Sequence, residues 1–361
     1  MRIAFYGSSL LSSYWNGAAT YYRGMLSALH RHGYHATFYE PDAFGRQQHR
    51  DMAPPDWAEV RVYPADEGSL REVVAEAVRA DVVVKASGVG VFDDALLQGV
   101  MAAARPDAIR IFWDVDAPAT LAEIAGAPEH PLRRMLPDLD LVLTYGGGPP
   151  VVQAYEGFGA RRCVPVYNAL DPTTHHPVPP EPRFATDLSF LGNRLPDREA
   201  RVEEFFLRPA GLLPDRRFLI GGNGWGDKPM PANVRMLGHV YTHEHNAFNT
   251  SPLAVLNIAR DSMAATGFSP ATRVFEAAGA GACLITDAWV GLELFLKEGR
   301  EVMVARDGAE VAAQLADLSP QRARRMGEAA RARILAEHTY ERRGVQVDAL
   351  LREVAARKRA A

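Results

Sequence analysis

Short apolar runs alternate with amphipathic segments along the whole chain. The first run is 2–6, and after a polar loop the apolar residues recur at helical spacing until Gly33. Alternation of buried strands with amphipathic helices is typical of βα units that build parallel sheets. The pattern therefore predicts an α/β protein.

The predicted strands fall into two series, one in each half of the chain. In the first series they are 2–6, 35–39, 81–85, 109–113, 139–144 and 163–166. In the second series they are 188–191, 217–220, 234–237, 254–258, 282–286 and 301–304. Each series suffices for one doubly wound domain, in which ligands bind at the carboxyl ends of the strands.

A proline-rich segment at 171–183 separates the two series. Proline fixes its own φ and lacks an amide hydrogen, so this segment suits a stiff linker. We predict an N-terminal domain at 1–170, the linker at 171–183 and a C-terminal domain at 184–337. A final helix at 338–361 can pack back on the first domain.

Composition narrows the class of protein. The 361 residues are 47% hydrophobic and 23% charged, which is typical of soluble globular proteins and excludes disordered and collagen-like chains. The formal net charge of −4 gives no basic footprint for nucleic acid, so no nucleic-acid partner is expected. Two cysteines, Cys163 and Cys283, cannot form a disulfide framework, and we expect a cytoplasmic protein.

Basic residues outnumber acidic ones after Pro320, where the pattern is helical to the end. We interpret this run as a solvated helical face. Peripheral contact of the basic helices with an anionic membrane surface or partner is the alternative.

The stretch 267–281 contains a predicted helix with a marked start. Ser269 is a plausible N-cap and Pro270 suits the first helical position. The free N–H groups of Ala271, Thr272 and Arg273 would then point out of the helix end, and such an end binds phosphate.

Glu276 is a single carboxylate on this otherwise small and apolar helix, so it needs hydrogen-bond donors. A ribose diol would supply two donors, while Arg273 and the helix end hold a diphosphate. A salt bridge between Glu276 and a nearby arginine accounts for the residues equally well.

Motifs in both halves of the chain carry a resemblance to a known family. The run R-V-F-E-A-A-G-A-G-A-C-L-I-T-D at 273–287 follows L-N-I-A-R-D at 256–261. The first half has G-S-S-x-x-S-S-Y-W-N-G-A-A-T-Y-Y-R-G at 7–24, F-W-D-V-D-A-P-A-T-L at 112–121 and L-T-Y-G-G-G at 143–148. Over nearly its whole length the chain resembles GT-B fold glycosyltransferases, in particular the CgeB-like, spore-maturation-type branch related to the group 1 families.

The resemblance implies two facing Rossmann-like doubly wound domains with an interdomain cleft and a helical C-terminus. It implies that Glu276 binds the ribose of the donor nucleotide. Phe268 stands where many relatives have a second glutamate, so the contact to the donor sugar must come from elsewhere. Retention or inversion at the anomeric carbon stays open.

Several further residues are expected on the donor side. Basic residues after the first strand of the second domain often face the diphosphate in the family, which makes Arg194 and Arg198 candidates. Gly222 and Asn223 follow the next strand, where glycine permits close approach of a ligand, although an ordinary turn also explains them. By resemblance, the base stacks near Val240.

The first domain is expected to hold the acceptor. Asn16 and Gly17 precede a helix as a cap would, and Ser87 follows a strand, so these loops face the acceptor or merely form caps and turns. Asp114 and Asp116 end an apolar strand and are the best candidates for a general base, with Asp116 preferred.

Metal chemistry has two weak signals. The D-V-D triplet at 114–116 also fits the metal-binding motif of GT-A fold glycosyltransferases. The sequences His175-His176 and His243-Glu244-His245 lack companion ligands at metal-site spacing, so we interpret them as solvated loop residues. No metal site and no cofactor are therefore expected, the nucleotide sugar being a co-substrate.

These observations predict a hexosyltransferase-type enzyme that moves a sugar from a nucleoside-diphosphate donor, UDP-linked by preference, to an acceptor hydroxyl or amine without metal. The acceptor, whether small molecule, glycan or protein, is unidentified. A sugar-nucleotide-binding protein without catalysis and a sugar-nucleotide epimerase of the same fold are the alternatives. A dinucleotide oxidoreductase and a P-loop ATPase are excluded because neither glycine motif occurs.

Overall fold

The computed structural model of the protein describes residues 1–14 and 16–360. Trp15, from the motif at 7–24, and Ala361, the end of the predicted final helix, lie outside the described residues. The chain forms two compact units, one of residues 1–168 with the segment from Tyr340 onward, the other of residues 169–339. The proline-rich segment 171–183 therefore belongs to the second unit.

The first unit contains a seven-stranded parallel sheet in the order β3-β2-β1-β4-β5-β6-β7. Its strands are β1 (Arg2–Tyr6), β2 (His35–Asp42), β3 (Ala58–Pro64), β4 (Val82–Ala86), β5 (Ile109–Asp114), β6 (Leu141–Thr144) and β7 (Cys163–Pro165). Its helices before residue 168 are α1 (Ala19–Arg31), α2 (Glu67–Ala75), α3 (Asp93–Ala103), α4 (Ala117–Ala125), α5 (Pro131–Met135) and α6 (Gly148–Gly157).

The burial of apolar side chains explains why these strands form the centre of the first unit. Every residue of β4 is buried, because apolar side chains on both faces are covered by helices. On one face, Tyr6, Val83, Phe112 and Val142 belong to a continuous core. The strand order reverses between β1 and β4, so the loops that follow these strands meet at the point where doubly wound sheets bind ligands.

The second unit contains a six-stranded parallel sheet in the order β10-β9-β8-β11-β12-β13. Its strands are β8 (Leu188–Leu191), β9 (Phe218–Gly221), β10 (Val234–Met236), β11 (Ala254–Asn257), β12 (Leu284–Asp287) and β13 (Met303–Ala305). Its helices are α7 (Glu199–Val202), α8 (Arg208–Leu212), α9 (His245–Thr250), α10 (Asp261–Thr266), α11 (Thr272–Gly279), α12 (Gly308–Ala316) and α13 (Pro320–Glu337). A π-helical turn at Glu203–Leu207 joins α7 to α8.

The last helix, α14 (Tyr340–Ala360), returns to the first unit and packs against α1. Gly24 makes this approach possible, since a Cβ there would lie 2.1 Å from the ring of Tyr340. The Tyr34 hydroxyl donates to Asp348 at 2.8 Å, which adds a polar contact to the same helix. Among the described helices, none is long and apolar enough to cross a membrane.

Candidate active site at the carboxyl edge of the second sheet

Two loops at the carboxyl edge of the second sheet touch through glycine backbones. Gly222, just after β9, has φ of 116°, and a Cβ there would lie 2.2 Å from the carbonyl oxygen of Gly192, just after β8. Asn223 N donates to Asn193 Oδ1 at 2.9 Å and holds the same pair of loops together. Gly222 and Asn223 thus shape the loop that carries Arg194 and Arg198.

Helix α11 begins at Thr272, with Ala271 as its N-cap and no capping side chain. The prediction of Ser269 as N-cap and Pro270 at the first helical position is wrong. Phe268 has a left-handed φ of 50°, and its N–H donates to the Val290 carbonyl, so this turn keeps 267–270 out of the helix. The Ser269 hydroxyl donates instead to the Gly267 carbonyl at 2.9 Å.

Two arginines bring positive charge to the start of α11. Arg273 is part of its first turn, and its buried Nη1 has no hydrogen-bond partner among the described residues. Arg198 donates from Nη2 to the Asn193 carbonyl at 2.5 Å, but its buried Nε has no partner in the same set. Burial and, second, the charge of Arg273 lower the pKa of Arg198 to about 10.

Arg194 occupies a different environment. Its guanidinium pairs with Glu199 at 2.8 Å and with Asp227 at 2.9 Å. These two carboxylates raise the pKa of Arg194 above its usual range, because they stabilise the charged form. The positive charge of Arg194 is therefore already neutralised by these two carboxylates.

Glu276 lies at the centre of a buried polar cluster. Its side chain is only 6% exposed, and no hydrogen bond to its carboxylate is found in the described part of the chain. Burial raises its pKa, but Arg273 and the protonated forms of His175 and His245 outweigh burial and hold the pKa below the ordinary value. A buried carboxylate without donors is costly unless a ligand supplies them.

The interpretation of His175 and His245 as solvated loop residues is wrong. His175 is buried, and its Nε2 lies 3.9 Å from Glu276 Oε1. His245, the first residue of α9, is partly buried, and burial lowers its pKa to about 4. The sequence gives no signal for this meeting, because the residues converge only when the loop before β8 packs against α9 and α11.

Val240 lies in the apolar interior rather than on an open surface. It packs with Leu191, Leu219 and Phe248 and is buried. The stacking of a base near Val240 remains a prediction.

In the first unit, Asp114 is fully buried at the end of β5 and accepts four hydrogen bonds. The donors are Ser87 Oγ at 2.7 Å, Thr120 Oγ1 at 3.0 Å, Tyr155 OH at 2.5 Å and Asp116 N at 2.9 Å. Burial raises the pKa of Asp114, although these donors lower it. This saturated carboxylate suits the holding of a loop, and Asp116, which is more exposed, is the better placed candidate base.

Asn16 does not cap α1, which begins at Ala19. Its amide nitrogen donates to the carbonyls of Ser9 and Ser12, and its oxygen accepts from Ser8 Oγ at 2.9 Å. Asn16 therefore organises the loop after β1 from within, whereas its neighbour Gly17 is exposed. Ser87 is likewise engaged, through its bond to Asp114.

Solved structures match almost the whole chain. Sucrose-phosphate synthase from Thermosynechococcus elongatus has 13% sequence identity and a TM-score of 0.70, with 99% of both chains covered. HepE from Anabaena in complex with UDP-glucose has 13% identity and a TM-score of 0.69, with 98% of this chain and 100% of that chain covered. The protein has the GT-B fold. A further matching structure is an alpha-glucosyltransferase in complex with UDP-glucose and DNA containing an abasic site. It has 11% identity and a TM-score of 0.70, with 97% of this chain and 99% of that chain covered.

Residues 198–351 of this GT-B chain match a protein-family model described as glycosyl transferase-like. The matched segment includes Arg198, Arg273 and Glu276. No curated protein sequence matches the chain.

Proposed function

We propose that this protein is a glycosyltransferase that takes its sugar from a nucleoside-diphosphate donor bound by the second unit. The observation that carries the proposal is the pair Arg198 and Arg273 at the start of α11. Each has a buried guanidinium nitrogen without a hydrogen-bond partner among the described residues. An anion with several acceptor oxygens would satisfy both.

A diphosphate fits this anion in charge and shape. The first N–H groups of α11 have no intrahelical partner and carry the positive end of the helix dipole. Negative charge that develops on a leaving diphosphate would be stabilised by these groups and by the two guanidinium groups. We therefore propose transfer without a divalent cation.

The nucleoside would be anchored by Glu276 in the next turn of the same helix. Two ribose hydroxyls would donate to the carboxylate, which has no donor in the described chain. Structural neighbours are described in complex with UDP and UDP-glucose, which supports a UDP-linked hexose as the donor. The sequence motifs support the CgeB-like branch, and two free, buried cysteines support a cytoplasmic location.

The acceptor would bind at the carboxyl edge of the first sheet. Asp116 would accept the proton of its hydroxyl or amine, while buried Asp114 orients the backbone of Asp116 through the bond to its N–H. The loops that contain Asn16, Gly17 and Ser87 lie at the same edge, after β1 and β4.

One observation favours a second candidate, a nucleotide-sugar-binding protein without catalysis. Phe268 occupies the position of the second glutamate of many relatives, and a Cβ at Gly291 would lie 2.3 Å from its ring. The side chain is thus packed in place as an aromatic and offers no contact to sugar hydroxyls. Release of UDP from UDP-sugars across broad acceptor panels separates the two candidates.

Calorimetric titration with UDP, dTDP, GDP and ADP, each with and without EDTA, tests the donor site, with NAD as a control ligand. We expect one diphosphate to bind tightly and equally in EDTA. Glu276→Gln should weaken that binding by about tenfold or more, because two charge-assisted hydrogen bonds become weaker. Absence of binding by all four nucleotides would contradict the proposal.

A further inference from the structure

We propose that His175, His245 and Glu276 form a binding site for a transition-metal ion of the zinc type. One ligand atom from each of the three side chains lies within 4.8 Å of the others. Two imidazoles and one carboxylate are a common zinc ligand set that leaves a fourth position open.

Hydrogen bonding orients His175 toward the shared space. The Thr174 hydroxyl donates to the Asp171 carbonyl at 3.2 Å, so its oxygen is available to accept from His175 Nδ1 at 3.0 Å. In the neutral ring the proton then resides on Nδ1, and Nε2 carries the lone pair on the side of the ring away from Thr174. Nε2 is buried without a hydrogen-bond partner in residues 1–14 and 16–360, and it faces Glu276 Oε1.

His245 has the complementary arrangement. Its buried Nδ1 has no hydrogen-bond partner in the described part of the chain. In the neutral tautomer with its proton on Nε2, His245 presents the lone pair of this unpartnered Nδ1. Metal-binding histidines usually donate their second ring N–H to a carbonyl or another oxygen, as His175 does to Thr174.

Three facing lone-pair donors repel one another unless a cation lies between them. A neutral imidazole lone pair and a carboxylate oxygen cannot form a hydrogen bond, which agrees with the 3.9 Å between His175 Nε2 and Glu276 Oε1. In a tetrahedral zinc site with bonds of about 2.0–2.1 Å, ligand atoms are about 3.3 Å apart. Side-chain rotations that move the ligand atoms by roughly 1 Å would bring them to that separation.

Backbone contacts hold the loop that carries His175. Asn246, beside His245 on α9, accepts from His176 N at 3.1 Å and donates to the Thr174 carbonyl at 2.9 Å. Gly279 on α11 leaves room for the His175 carbonyl, which would lie 3.2 Å from a Cβ at that position. Elements far apart in sequence thus present the three ligands in a preformed arrangement.

A metal ion here has a functional consequence that rests on the proposed function. A Glu276 carboxylate that coordinates a cation cannot also accept two ribose hydroxyls in the same geometry. Zinc should therefore lower the affinity for the donor nucleotide and inhibit the protein, whereas the proposed transfer needs no metal.

The direct test is titration of metal-free protein with Co²⁺, followed by visible absorption, and with Zn²⁺, followed by calorimetry. We expect one equivalent to bind, with the strong d–d absorption of a four-coordinate site. His175→Gln, His245→Asn and Glu276→Gln should each weaken binding about tenfold or more, since the loss of a mere supporting hydrogen bond costs about 10–100-fold. His176, the exposed neighbour of His175, provides the matched control, and His176→Gln should bind the metal as the wild type does.

Two measurements keep the test decisive if a ligand variant fails to fold. Zinc should shift the ring nitrogen resonances of His175 and His245 in the wild-type protein. Thr174→Val should weaken metal binding about tenfold, because it removes the oxygen that orients His175. Absence of a 1:1 complex in the wild type, or equal binding by His176→Gln and all three ligand variants, overturns the site.

Competition between zinc and UDP separates this inference from the proposed function. We expect zinc to reduce the UDP affinity of the wild type and not that of His245→Asn. Because free UDP binds zinc to the same extent in both experiments, the variant also controls for that effect. If zinc binds and the UDP affinity does not change, the proposed competition at Glu276 is wrong. If UDP fails to bind in EDTA while zinc still binds, the proposed function fails and the metal site stands.

Discussion

Burial and, second, the positive charge of nearby Arg273 lower the pKa of the Arg198 guanidinium. Like charges with partly unsatisfied donors raise the free energy of the unliganded protein. An anion that binds both arginines lowers this free energy. The two arginines therefore favour binding of a doubly charged ligand.

The first prediction concerns UDP affinity. Arg198→Ala and Arg273→Ala should each weaken UDP binding by about 10–100-fold, the range for loss of a charge-assisted hydrogen bond of about 1.5–3 kcal/mol. Arg194→Ala is the matched control, because its guanidinium is already engaged by Glu199 and Asp227. Calorimetry on the three variants checks the prediction, and an Arg194 effect as large as the other two would contradict it.

The second prediction concerns the contact between the loops after β8 and β9. Gly222→Ala should lower the free energy of unfolding by about 2 kcal/mol or more, because the new Cβ meets the Gly192 carbonyl at a positive φ. Gly226→Ala has open space around its Cβ and should change stability little. Urea unfolding of both variants measures the difference, and equal midpoints would speak against this close approach.

The third prediction separates the two aspartates at the end of β5. Asp114→Ala should destabilise the protein by about 2–4 kcal/mol, since four donors lose their buried acceptor. Asp116→Asn should preserve stability and donor binding but lower turnover by about 10²-fold or more, as expected for loss of a general base. Thermal unfolding and UDP release distinguish the variants; full turnover in Asp116→Asn would assign the base elsewhere.

The fourth prediction is a pH dependence of stability. Hydrogen bonds from Arg194 and then Lys228 lower the pKa of Glu199 to about 2 from its ordinary 4.5. The unfolded chain then binds the proton more readily, so the stabilisation by this carboxylate is complete above pH 4.5 and is lost as the pH falls toward 2. Unfolding at pH 6 and pH 3 should show a smaller loss of stability in Glu199→Gln than in the wild type.

The control for that measurement is Glu67→Gln, whose parent side chain is 83% exposed and only loosely paired with Arg71. It should retain the wild-type pH dependence. If Glu67→Gln and Glu199→Gln lose the same free energy of unfolding between pH 6 and pH 3, the effect is due to net charge and not to the ion pair with Arg194.

Most of the fold could be predicted because buried parallel strands are short continuous apolar runs. The strand β4 begins within one residue of its predicted start, and β8 matches its prediction fully. The strand β3 was missed because it lies at the edge of the sheet, where only two of its seven residues are buried. Edge strands need fewer apolar residues, so their pattern resembles that of a loop.

The residues of the candidate site could be predicted only where they lie close together in the sequence. Glu276 and Arg273 could be predicted as candidates because they share one short helix with a marked composition. The start of that helix was placed too early, since the left-handed turn at Phe268 contradicts the preference of a bulky residue. His175 and His245 could not be paired from sequence, because their meeting depends on the packing of α9 and α11 around the loop before β8.

The return of α14 to the first unit reverses the order in which the two units can be completed during synthesis. All residues of the second unit have been translated once Thr339 is added, whereas the first unit still lacks the helix that packs on α1. The first unit, whose strands are synthesised early, is therefore completed only after α14 has been synthesised. Loss of the final helix would accordingly damage the half of the protein that begins the chain, and would leave intact the half to which that helix is directly joined.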